Sequence, residues 1–489
     1  MSTIAPTTLE ETLDPQDWSG LRALGHQMVD EMFSYLEDIR ESPSWQPLPR
    51  EVKISFAQPV PLDPQGADAA YRDFKQNVLP YPLGNIHPRF WAWVCGSGTP
   101  GAMLADMLAS AMNSNVHGGD HAAIYVELQV LSWLKQALGY PLEASGLLVT
   151  GGSVANFVGL AVARNAKAGW DVKSEGLSNS RSLVVYCSRE THNSVQKGVE
   201  ALGLGTNGLR YIDSDSDFRI RMDALRKAVA ADRKAGKQPI CVVGNAGTVN
   251  TGAVDDLSAL ADFCGTENMW LHVDGAFGAI AAISPALRPL LRGMDRADSL
   301  AFDLHKWMYM PYDIGCVLVR SSESHRSTFS SEAAYLGNHG RGLTGGPMWF
   351  KEYGLELSRG ARALKAWFSL KEHGLRKFQA LVERNVAQAK YLVEMVAADD
   401  RLQLLAPAPL NVVCFRFKGG IEDEKTLTAL NEEIVVRLQE TGAASPSSTI
   451  IGGRFAIRVA NVNHRSRRED FEYLVNEVIR LGNEIAPRE

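Results

Sequence analysis

The hydrophobic positions in the middle of the chain form short, almost uninterrupted apolar runs, separated by longer amphipathic stretches. Runs that are apolar on both faces are typical of strands in a parallel sheet covered by helices. The predicted strands are GLLVT (146–150), SLVVYCS (182–188), PICVVGN (239–245), MWLHVDG (269–275), SLAFDL (299–304) and GCVLVR (315–320). The pattern therefore predicts an α/β domain with a mostly parallel sheet.

The two ends of the chain have different patterns. Apolar residues recur at helical spacing between Leu21 and Ile39, which predicts an amphipathic helix, and a proline-rich connector follows from Pro47 to about Pro64. After Arg362 a long helical pattern precedes two strands, NVVCFRFKG and FAIRVAN, and a final helix, REDFEYLVNEVIRL. We therefore expect an N-terminal helical segment (1–98), a large α/β domain (99–375) and a small α+β domain (376–489).

Composition and charge narrow the class of protein. The 489 residues are 45% hydrophobic with a formal net charge of −6, which is typical of a globular protein without a basic surface for nucleic acid. The 6 cysteines form no CxxC pair and no metal-like spacing, so we expect free thiols in a reducing compartment and no metal. The N-terminus lacks a secretory signal pattern and no apolar run is long enough to span a membrane, which favours the cytoplasm.

One lysine, Lys306, lies between two predicted apolar strands in the stretch DLHKWMYMP (303–311). A buried lysine without a partner is costly and tends to lose its charge. The common explanation for such a lysine is that it extends its ammonium group to water. The alternative is a reactive, uncharged amine, which can form a Schiff base with an aldehyde cofactor.

Other polar residues follow the predicted strands. Gly152 and Ser153 come directly after the first strand, and His192 follows the second. Thr248 lies in a loop of small residues after the third strand, and Asp274 ends the fourth. Each has an ordinary explanation as a helix cap, a turn or a solvent-exposed group. Together, a glycine turn suited to phosphate, a histidine for stacking, an acid for a cationic ring nitrogen and a reactive lysine indicate one cofactor site.

The motifs HPRF…AMLADML, HVDGA and HKW add a resemblance to a known family. From about residue 20 to beyond residue 380, the chain resembles the pyridoxal-phosphate decarboxylases of the aromatic-L-amino-acid, glutamate and histidine decarboxylase group. The resemblance implies an aspartate-aminotransferase-like fold of type I for the large domain, with pyridoxal 5′-phosphate as cofactor. It also implies a homodimer that shares its active sites and uses the N-terminal segment for dimerisation.

The resemblance implies roles for individual residues. Lys306 would hold the cofactor as an imine, Asp274 would pair with its ring nitrogen, and His192 would stack on the ring. Tyr335, in EAAYLGNH, would return a proton to the substrate carbon after CO2 has left a carbanion. The other residues implied for the cofactor site are Gly152, Ser153, Thr248, Ala276, His305 and Ser358. The residues implied for the substrate pocket are Trp91, Trp93, Val94 and His117.

Three features depart from the family pattern. Asp303 stands where the aromatic decarboxylases often have asparagine, close to the expected phosphate, so this second anion needs a compensating donor. The segment GGDHAAIYVE, which follows His117, changes a wall of the pocket. Ser358 replaces a glycine that approaches the phosphate bound to the partner subunit.

The resemblance implies an enzyme that converts an L-amino acid to the corresponding amine and CO2. Trp91 and Trp93 favour an aromatic or bulky substrate, but they are equally well explained as core residues. A second hypothesis is an aldehyde synthase, in which oxygen intercepts the carbanion, although the presence of Tyr335 and His192 argues against it. A third is a catalytically silent scaffold that binds the cofactor, and the intact Lys306 argues against that.

Overall fold

The computed structural model describes residues 11–177, 181–331 and 340–486, so Tyr335 lies outside the described residues. Within them, a seven-stranded sheet has the order β2-β8-β7-β6-β5-β3-β4. Strands β3 to β7 pair in parallel, and β8 runs antiparallel to both of its neighbours. The strands are β2 (Ser145–Val149), β3 (Leu183–Ser188), β4 (Leu209–Ile212), β5 (Gln238–Asn245), β6 (Trp270–Asp274), β7 (Ser299–Asp303) and β8 (Gly315–Val319).

This sheet confirms the predicted α/β architecture and all six predicted strands. Their residues are buried almost throughout, which explains why each strand is a continuous apolar run instead of an alternating one. Strand β4 was not predicted. It lies at the edge of the sheet, and two of its four residues are at least partly exposed, so its apolar signal is short and weak.

Helices cover the sheet and precede it. The predicted N-terminal helix is α1 (Trp18–Glu37), and it is followed by α2 (Arg50–Ser55) and α3 (Ala67–Asp73). The helices that accompany the large sheet are α4 (Pro100–Met112), α5 (Ala122–Leu138), α6 (Gly152–Lys167), α7 (Val172–Glu175), α8 (Asn193–Ala201), α9 (Met222–Lys234), α10 (Leu257–Thr266), α11 (Leu304–Trp307) and α12 (Ser322–Phe329). The C-terminal helices are α13 (Ala363–Ala397), α14 (Glu424–Glu440) and α15 (Arg468–Ile485).

A second, five-stranded sheet forms the C-terminal domain, with the order β1-β11-β12-β10-β9. Its strands are β1 (Phe90–Trp91), β9 (Leu402–Leu404), β10 (Val412–Phe417), β11 (Ser445–Ile451) and β12 (Arg454–Ala460). Strand β1 comes from the N-terminal segment and pairs in parallel with β11. The segment before the large domain therefore completes the sheet of the small one, a long-range pairing that the sequence pattern does not reveal.

The long helix α13 connects the two domains and is interrupted at Gly374. This residue has φ 69° and ψ 153°, a backbone conformation in the left-handed half of the map that glycine adopts without steric cost. The interruption lies one residue before the domain boundary expected at residue 375. No helix in the described ranges is both long enough and apolar enough to cross a lipid bilayer.

The buried histidine His325 makes the fold less stable in acid. His325 is fully buried with its Nδ1 2.9 Å from Ser145 Oγ, and burial lowers its pKa to about 4. Below about pH 6.5 the unfolded chain takes up a proton that folded His325 does not, so stability falls until the folded pKa is reached. Between these two pH values, His325 alone lowers the free energy of unfolding by about 3 kcal/mol.

We expect His325→Gln to reduce the loss of stability between about pH 6.5 and about pH 4, measured by urea unfolding at a series of pH values. The matched control is His26→Gln, because His26 is exposed. An unchanged pH dependence in His325→Gln would show that His325 does not contribute to the acid sensitivity.

Candidate active site

The carboxyl ends of the parallel strands gather polar side chains at one edge of the large sheet. Strand β5 ends at Asn245, β6 at Asp274 and β7 at Asp303, and Lys306 follows within the short helix α11. His192 follows β3 and caps the N-terminus of α8. Ligands bind at this edge in open α/β sheets because the loops that follow the strands meet there.

A cavity of about 340 Å³ lies between this edge and the small domain. It brings together six of the residues predicted for the site, which are Trp93, Val94, His192, Asp274, Ala276 and Lys306. The cavity is completed by residues that the sequence did not single out, which are Asn245, Gly247, Val249, Asn250, Phe277, Ser447, Ser448 and Arg458. The site is therefore built from three parts of the chain that are far apart in sequence.

Lys306 forms an ion pair with Asp303 inside this site. Its Nζ lies 2.8 Å from Asp303 Oδ2, and the Asp303 side chain is 1% exposed. Burial opposes the charged amine, but the Asp303 carboxylate outweighs burial and raises the pKa of Lys306 above its ordinary value. Lys306 is thus the compensating donor that the buried Asp303 requires, and its side chain, 22% exposed, lines the cavity.

Asp274 is held by two donors. Its Oδ2 accepts a hydrogen bond from Asn156 Nδ2 at 2.9 Å, and its Oδ1 accepts one from the Ala276 backbone N–H at 3.1 Å. The side chain is buried, and no cation of the described chain lies within ion-pair distance of it. A buried carboxylate that lines a cavity without a cationic partner is suited to a cationic group on a ligand.

His192 is held at the N-terminus of α8, where it is the capping residue. Its Nδ1 lies 2.8 Å from Ser194 Oγ and accepts the Ser194 backbone N–H at 3.2 Å. Burial lowers the pKa of His192 below its ordinary value, while the nearby Asp274 carboxylate acts in the opposite direction. His192 is therefore a neutral imidazole near pH 7, as a flat ring that stacks on another ring should be.

The glycine turn after β2 lies against Asp303. A Cβ placed on Gly152 would lie 2.9 Å from Asp303 Oδ2 and 3.5 Å from Ala276 Cβ, so the turn has no room for a side chain. Gly152 begins α6, where the Val154 and Ala155 N–H groups donate to the Gly151 carbonyl, so the N–H groups of Gly152 and Ser153 are the ones in this first turn that suit an anion. Ser153 follows in this turn and is exposed.

His305 packs beside the same turn. Its Nδ1 accepts the Ile314 backbone N–H at 3.1 Å, and its ring centroid lies 4.3 Å from that of Tyr312. A Cβ placed on Gly151 would lie 3.2 Å from His305 Cε1. Burial lowers the pKa of His305, so this ring supports the turn as a neutral group.

Trp91 does not line this cavity, in contrast to the prediction. Its side chain is 1% exposed within the core of the small domain, where it stacks on Phe471 with 4.8 Å between ring centroids. Its indole N–H donates to Ser466 Oγ. Strand alternation would place residues 91 and 93 on the same face, but β1 ends at Trp91, and Trp93 lies in the following turn with φ 51°. Only Trp93, with 59% of its surface exposed, therefore reaches the cavity.

Six other predicted residues of the described chain also lie outside the cavity lining, namely Gly152, Ser153 and His305 beside it and Thr248, His117 and Ser358. Thr248 is buried, and its hydroxyl accepts the Ala253 N–H and contacts Thr251 Oγ1 at 3.0 Å, so it closes the loop that lines the cavity. The His117 ring packs against Trp349, with 5.7 Å between ring centroids. Ser358 is exposed on the described surface.

Arg458 is the most informative residue that sequence reasoning missed. It lies in β12, its side chain is almost fully buried, and no carboxylate of the described chain pairs with it. Its guanidinium binds the backbone oxygens of Trp93, Val249 and Asn250 and the Ser447 hydroxyl. The available signal was a charged residue at a core-facing position of a strand, which the pattern FAIRVAN contains.

Comparisons with known proteins assign the family. The family described as "Pyridoxal-dependent decarboxylase conserved domain" matches residues 49–418. The aromatic-L-amino-acid decarboxylase of Bacillus atrophaeus is 33% identical over 470 residues, which cover 95% of this chain and 96% of that protein. The chain therefore belongs to the pyridoxal-dependent decarboxylase family.

Solved structures agree with this assignment. The Oryza sativa TDC solved with PLP and tryptamine has a TM-score of 0.91 at 27% identity, and the match covers 97% of this chain and 100% of that one. The Catharanthus roseus tryptophan decarboxylase in complex with L-tryptophan has a TM-score of 0.86 at 26% identity, with 96% and 99% covered. This chain has the type I fold of these enzymes and is a pyridoxal-phosphate-dependent carboxy-lyase that acts on an amino acid.

The residues present fit this cofactor. The lining of the cavity offers a lysine amine, a carboxylate without a cationic partner and an imidazole. The glycine turn beside it carries no side chain, so its backbone can approach a phosphate closely. An aldehyde, a cationic ring nitrogen, a flat ring and a phosphate are the matching groups of pyridoxal phosphate.

The ion pair between Lys306 and Asp303 predicts how the lysine titrates. We expect Asp303→Asn to lower the pKa of Lys306 by about one to three units, because the carboxylate that favours the ammonium form is removed. The neutral amine should then appear at lower pH. The measurement is the pH dependence of Lys306 labelling by a small imidoester in cofactor-free protein, read by peptide mass spectrometry.

Lys365 provides an internal control in the same digest, because its Nζ pairs with Asp106 at 2.9 Å and the substitution leaves that pair intact. Identical labelling profiles for Lys306 in both proteins would contradict the assigned cause of its raised pKa.

Proposed function

We propose that this chain decarboxylates an aromatic or bulky L-amino acid to the corresponding amine and CO2, with Lys306, Asp274, His192 and Tyr335 as catalytic residues. The observation that carries the proposal is the convergence of Lys306, Asp274 and His192 on one cavity. Each of the three comes from a different strand end, and a shared cavity of this composition is not explained by packing alone.

The proposed contacts to the cofactor follow from that arrangement. Lys306 would carry the covalent link and Asp274 would pair with the ring nitrogen, while His192 and Ala276 would cover the two faces of the ring. The proposed phosphate and lining residues are Gly152, Ser153, Thr248 and His305. When bound, pyridoxal phosphate supplies an aldehyde for an amine and a ring that accepts the electrons left by departing CO2.

Asp303 controls the protonation of Lys306. The lysine nitrogen must lose a proton before its lone pair can form a bond, and Asp303 Oδ2 lies 2.8 Å from it. Because Asp303 raises the pKa of Lys306, it holds this proton on the lysine nitrogen, and the free amine would form when a ligand replaces the carboxylate as the partner of the lysine. Tyr335, which lies outside the described residues, is proposed from the resemblance to return a proton to the substrate carbon.

Arg458 is placed to hold the substrate carboxylate. A guanidinium carries five N–H groups, and the four contacts to backbone and hydroxyl oxygens leave one without an acceptor among the described residues. Burial lowers the pKa of Arg458, which reflects the cost of a buried cation without an anion. A substrate carboxylate would supply that anion.

Support for an aromatic or bulky substrate comes from the walls of the cavity. Trp93, Val94 and Phe277 contribute apolar surface, and the volume of about 340 Å³ is within the usual range for small-molecule sites. The relatives named as acting on tyrosine and tryptophan are 28% and 30% identical to this chain. His117 is kept as a proposed pocket residue on the strength of the resemblance alone.

The same proposal includes a homodimer in the cytoplasm. Helix α4 exposes Met107, Leu108 and Met112, each at least 45% exposed, and an apolar helix face of this kind is suited to a second copy. Ser358 is exposed, as a residue proposed to approach the partner's phosphate must be. The cytoplasmic location rests on the composition and on the free cysteines.

A panel of amino acids tests the function. We expect CO2 and the matching amine from tyrosine, tryptophan or phenylalanine, and much less from glutamate, because the cavity walls are largely apolar. Lys306→Ala should abolish turnover, since no other amine of the described chain lines the cavity. Lys237→Ala is the matched control, because Lys237 pairs with Asp232 at 3.2 Å away from the site.

The products of the same assay separate the hypotheses. An aldehyde with hydrogen peroxide and ammonia would identify an aldehyde synthase instead. If the protein binds the cofactor but consumes no amino acid, the hypothesis of a catalytically silent scaffold would be the one that remains.

The role of Arg458 has its own prediction. We expect Arg458→Gln to weaken binding of the amino acid roughly 10- to 100-fold, which is the usual contribution of a charge-assisted hydrogen bond. Binding of the product amine should change little, because it lacks the carboxylate. The measurement is KM for the amino acid beside the inhibition constant of the amine.

Arg416→Gln is the control for this variant, since Arg416 is also buried in the small domain but pairs with Glu424. Equal losses for amino acid and amine in Arg458→Gln would show that Arg458 supports the fold and does not bind the carboxylate.

A further inference from the structure

A line of buried polar side chains runs behind the cavity and meets at Asn156 of α6. On one side, Trp270 Nε1 lies 2.8 Å from Ser299 Oγ, Ser299 Oγ lies 2.7 Å from His272 Nδ1, and His272 Nε2 lies 2.9 Å from Asn156 Oδ1. On the other side, Asn156 Nδ2 contacts Asp274 and Ser194. Asn156 is 1% exposed, and His272 and Ser299 are fully buried.

The chemistry of these groups gives each hydrogen bond in this line a direction. The Trp270 indole can only donate, so the Ser299 hydroxyl receives its N–H and has its own hydrogen left for His272 Nδ1. Burial lowers the pKa of His272 to about 3, so the ring is neutral. The Asp274 carboxylate can only accept, so the Asn156 NH2 group faces it and Oδ1 faces His272 Nε2, which therefore carries the single hydrogen of the ring. That N–H donates to Asn156 Oδ1, which fixes the orientation of the amide.

The two amide hydrogens of Asn156 then reach both sides of the site. One is donated to Asp274 Oδ2 at 2.9 Å and the other to Ser194 Oγ at 3.0 Å. The Ser194 backbone N–H already makes His192 Nδ1 an acceptor, and the Ser194 hydroxyl is left to donate to the same nitrogen at 2.8 Å. Neutral His192 therefore carries its hydrogen on Nε2.

The packing around His272 shows that this line is built into the fold. A Cβ placed on Gly159 of α6 would lie 2.5 Å from His272 Cε1 and 3.2 Å from Ser299 Oγ. The glycine lets the helix approach the sheet closely enough for Asn156, one turn earlier, to reach the histidine. None of Asn156, His272, Ser299 and Trp270 lines the cavity.

We propose that Asn156, locked by His272, is a positioning residue that sets the hydrogen-bonding state of both Asp274 and His192. The inference rests on the proposed function, since it assumes that Asp274 meets the ring nitrogen of the cofactor and that His192 covers the ring. One amide thus aims the acid at the ring nitrogen and directs the Ser194 hydroxyl toward the stacking imidazole. Asn156 touches neither the cofactor nor the substrate.

The test compares two ligands in Asn156→Ala. One is pyridoxal phosphate, and the other is its analogue in which carbon replaces the ring nitrogen. Both carry the aldehyde and the phosphate, so both can reach Lys306, but only the first offers a ring nitrogen to Asp274. We expect Asn156→Ala to reduce affinity for pyridoxal phosphate by about tenfold or more while affinity for the analogue changes little. The measurement is equilibrium binding by quenching of tryptophan fluorescence.

Equal losses for the two ligands would overturn the proposal, because they would show that Asn156 only supports the fold. Asn431→Ala is the matched control, since Asn431 is a fully buried asparagine of the small domain. It should reduce stability without changing the ratio of the two affinities.

Two further variants keep the proposal testable if Asn156→Ala does not fold. His272→Gln retains an N–H for Asn156 and should keep the ratio of affinities near that of the unmodified chain, whereas His272→Leu should lower it. Equal ratios in these two variants would contradict the proposal. If the unmodified chain itself binds no pyridoxal phosphate at Lys306, detected as a borohydride-stable mass adduct, the proposed function fails, which is a separate result.

Discussion

The ion pair between Lys306 and Asp303 is the interaction on which the rest of the site depends. A buried ammonium group is stable only beside an anion, and a buried carboxylate only beside a cation or several donors. Asp303 ends β7 and Lys306 follows three residues later in α11, so the local chain places the two groups 2.8 Å apart. This short connection allows a reactive amine to remain in the interior until a ligand replaces its partner.

The sheet supplies the surroundings of that pair. Parallel strands end at one edge, so Asp274, Asn245 and the turn before His192 reach the lysine without any specific attraction between them. The small domain closes the opposite side and contributes Arg458, whose guanidinium also binds the Trp93 backbone oxygen. Trp93 has φ 51°, an unusual conformation for a residue with a side chain, and this contact helps to hold it at the cavity.

The sequence predicted the large domain well because its strands are buried on both faces and therefore stand out as apolar runs. It also singled out Lys306, Asp274 and His192, because polar residues at the ends of apolar strands are conspicuous, and the structure brings these three to one cavity. It did not predict β1, Arg458 or Asn156, since their roles depend on contacts between parts of the chain far apart in sequence. Trp91 and Trp93 show the limit most clearly, because two tryptophans that a regular strand would place on the same face have opposite environments once the chain turns at Trp93.

The charges of the cavity explain why a cofactor and an amino acid fit it together. Lys306 is neutralised by Asp303, but Asp274 on the large-domain wall and Arg458 on the small-domain wall have no ionic partner among the described residues. Each is a buried charge whose cost falls when a ligand brings the opposite sign. A cationic ring nitrogen satisfies the acid and a carboxylate satisfies the arginine. In the proposed reaction the carboxylate would depart as CO2 and leave Arg458 without that partner, so the arginine would favour binding of the substrate over retention of the product.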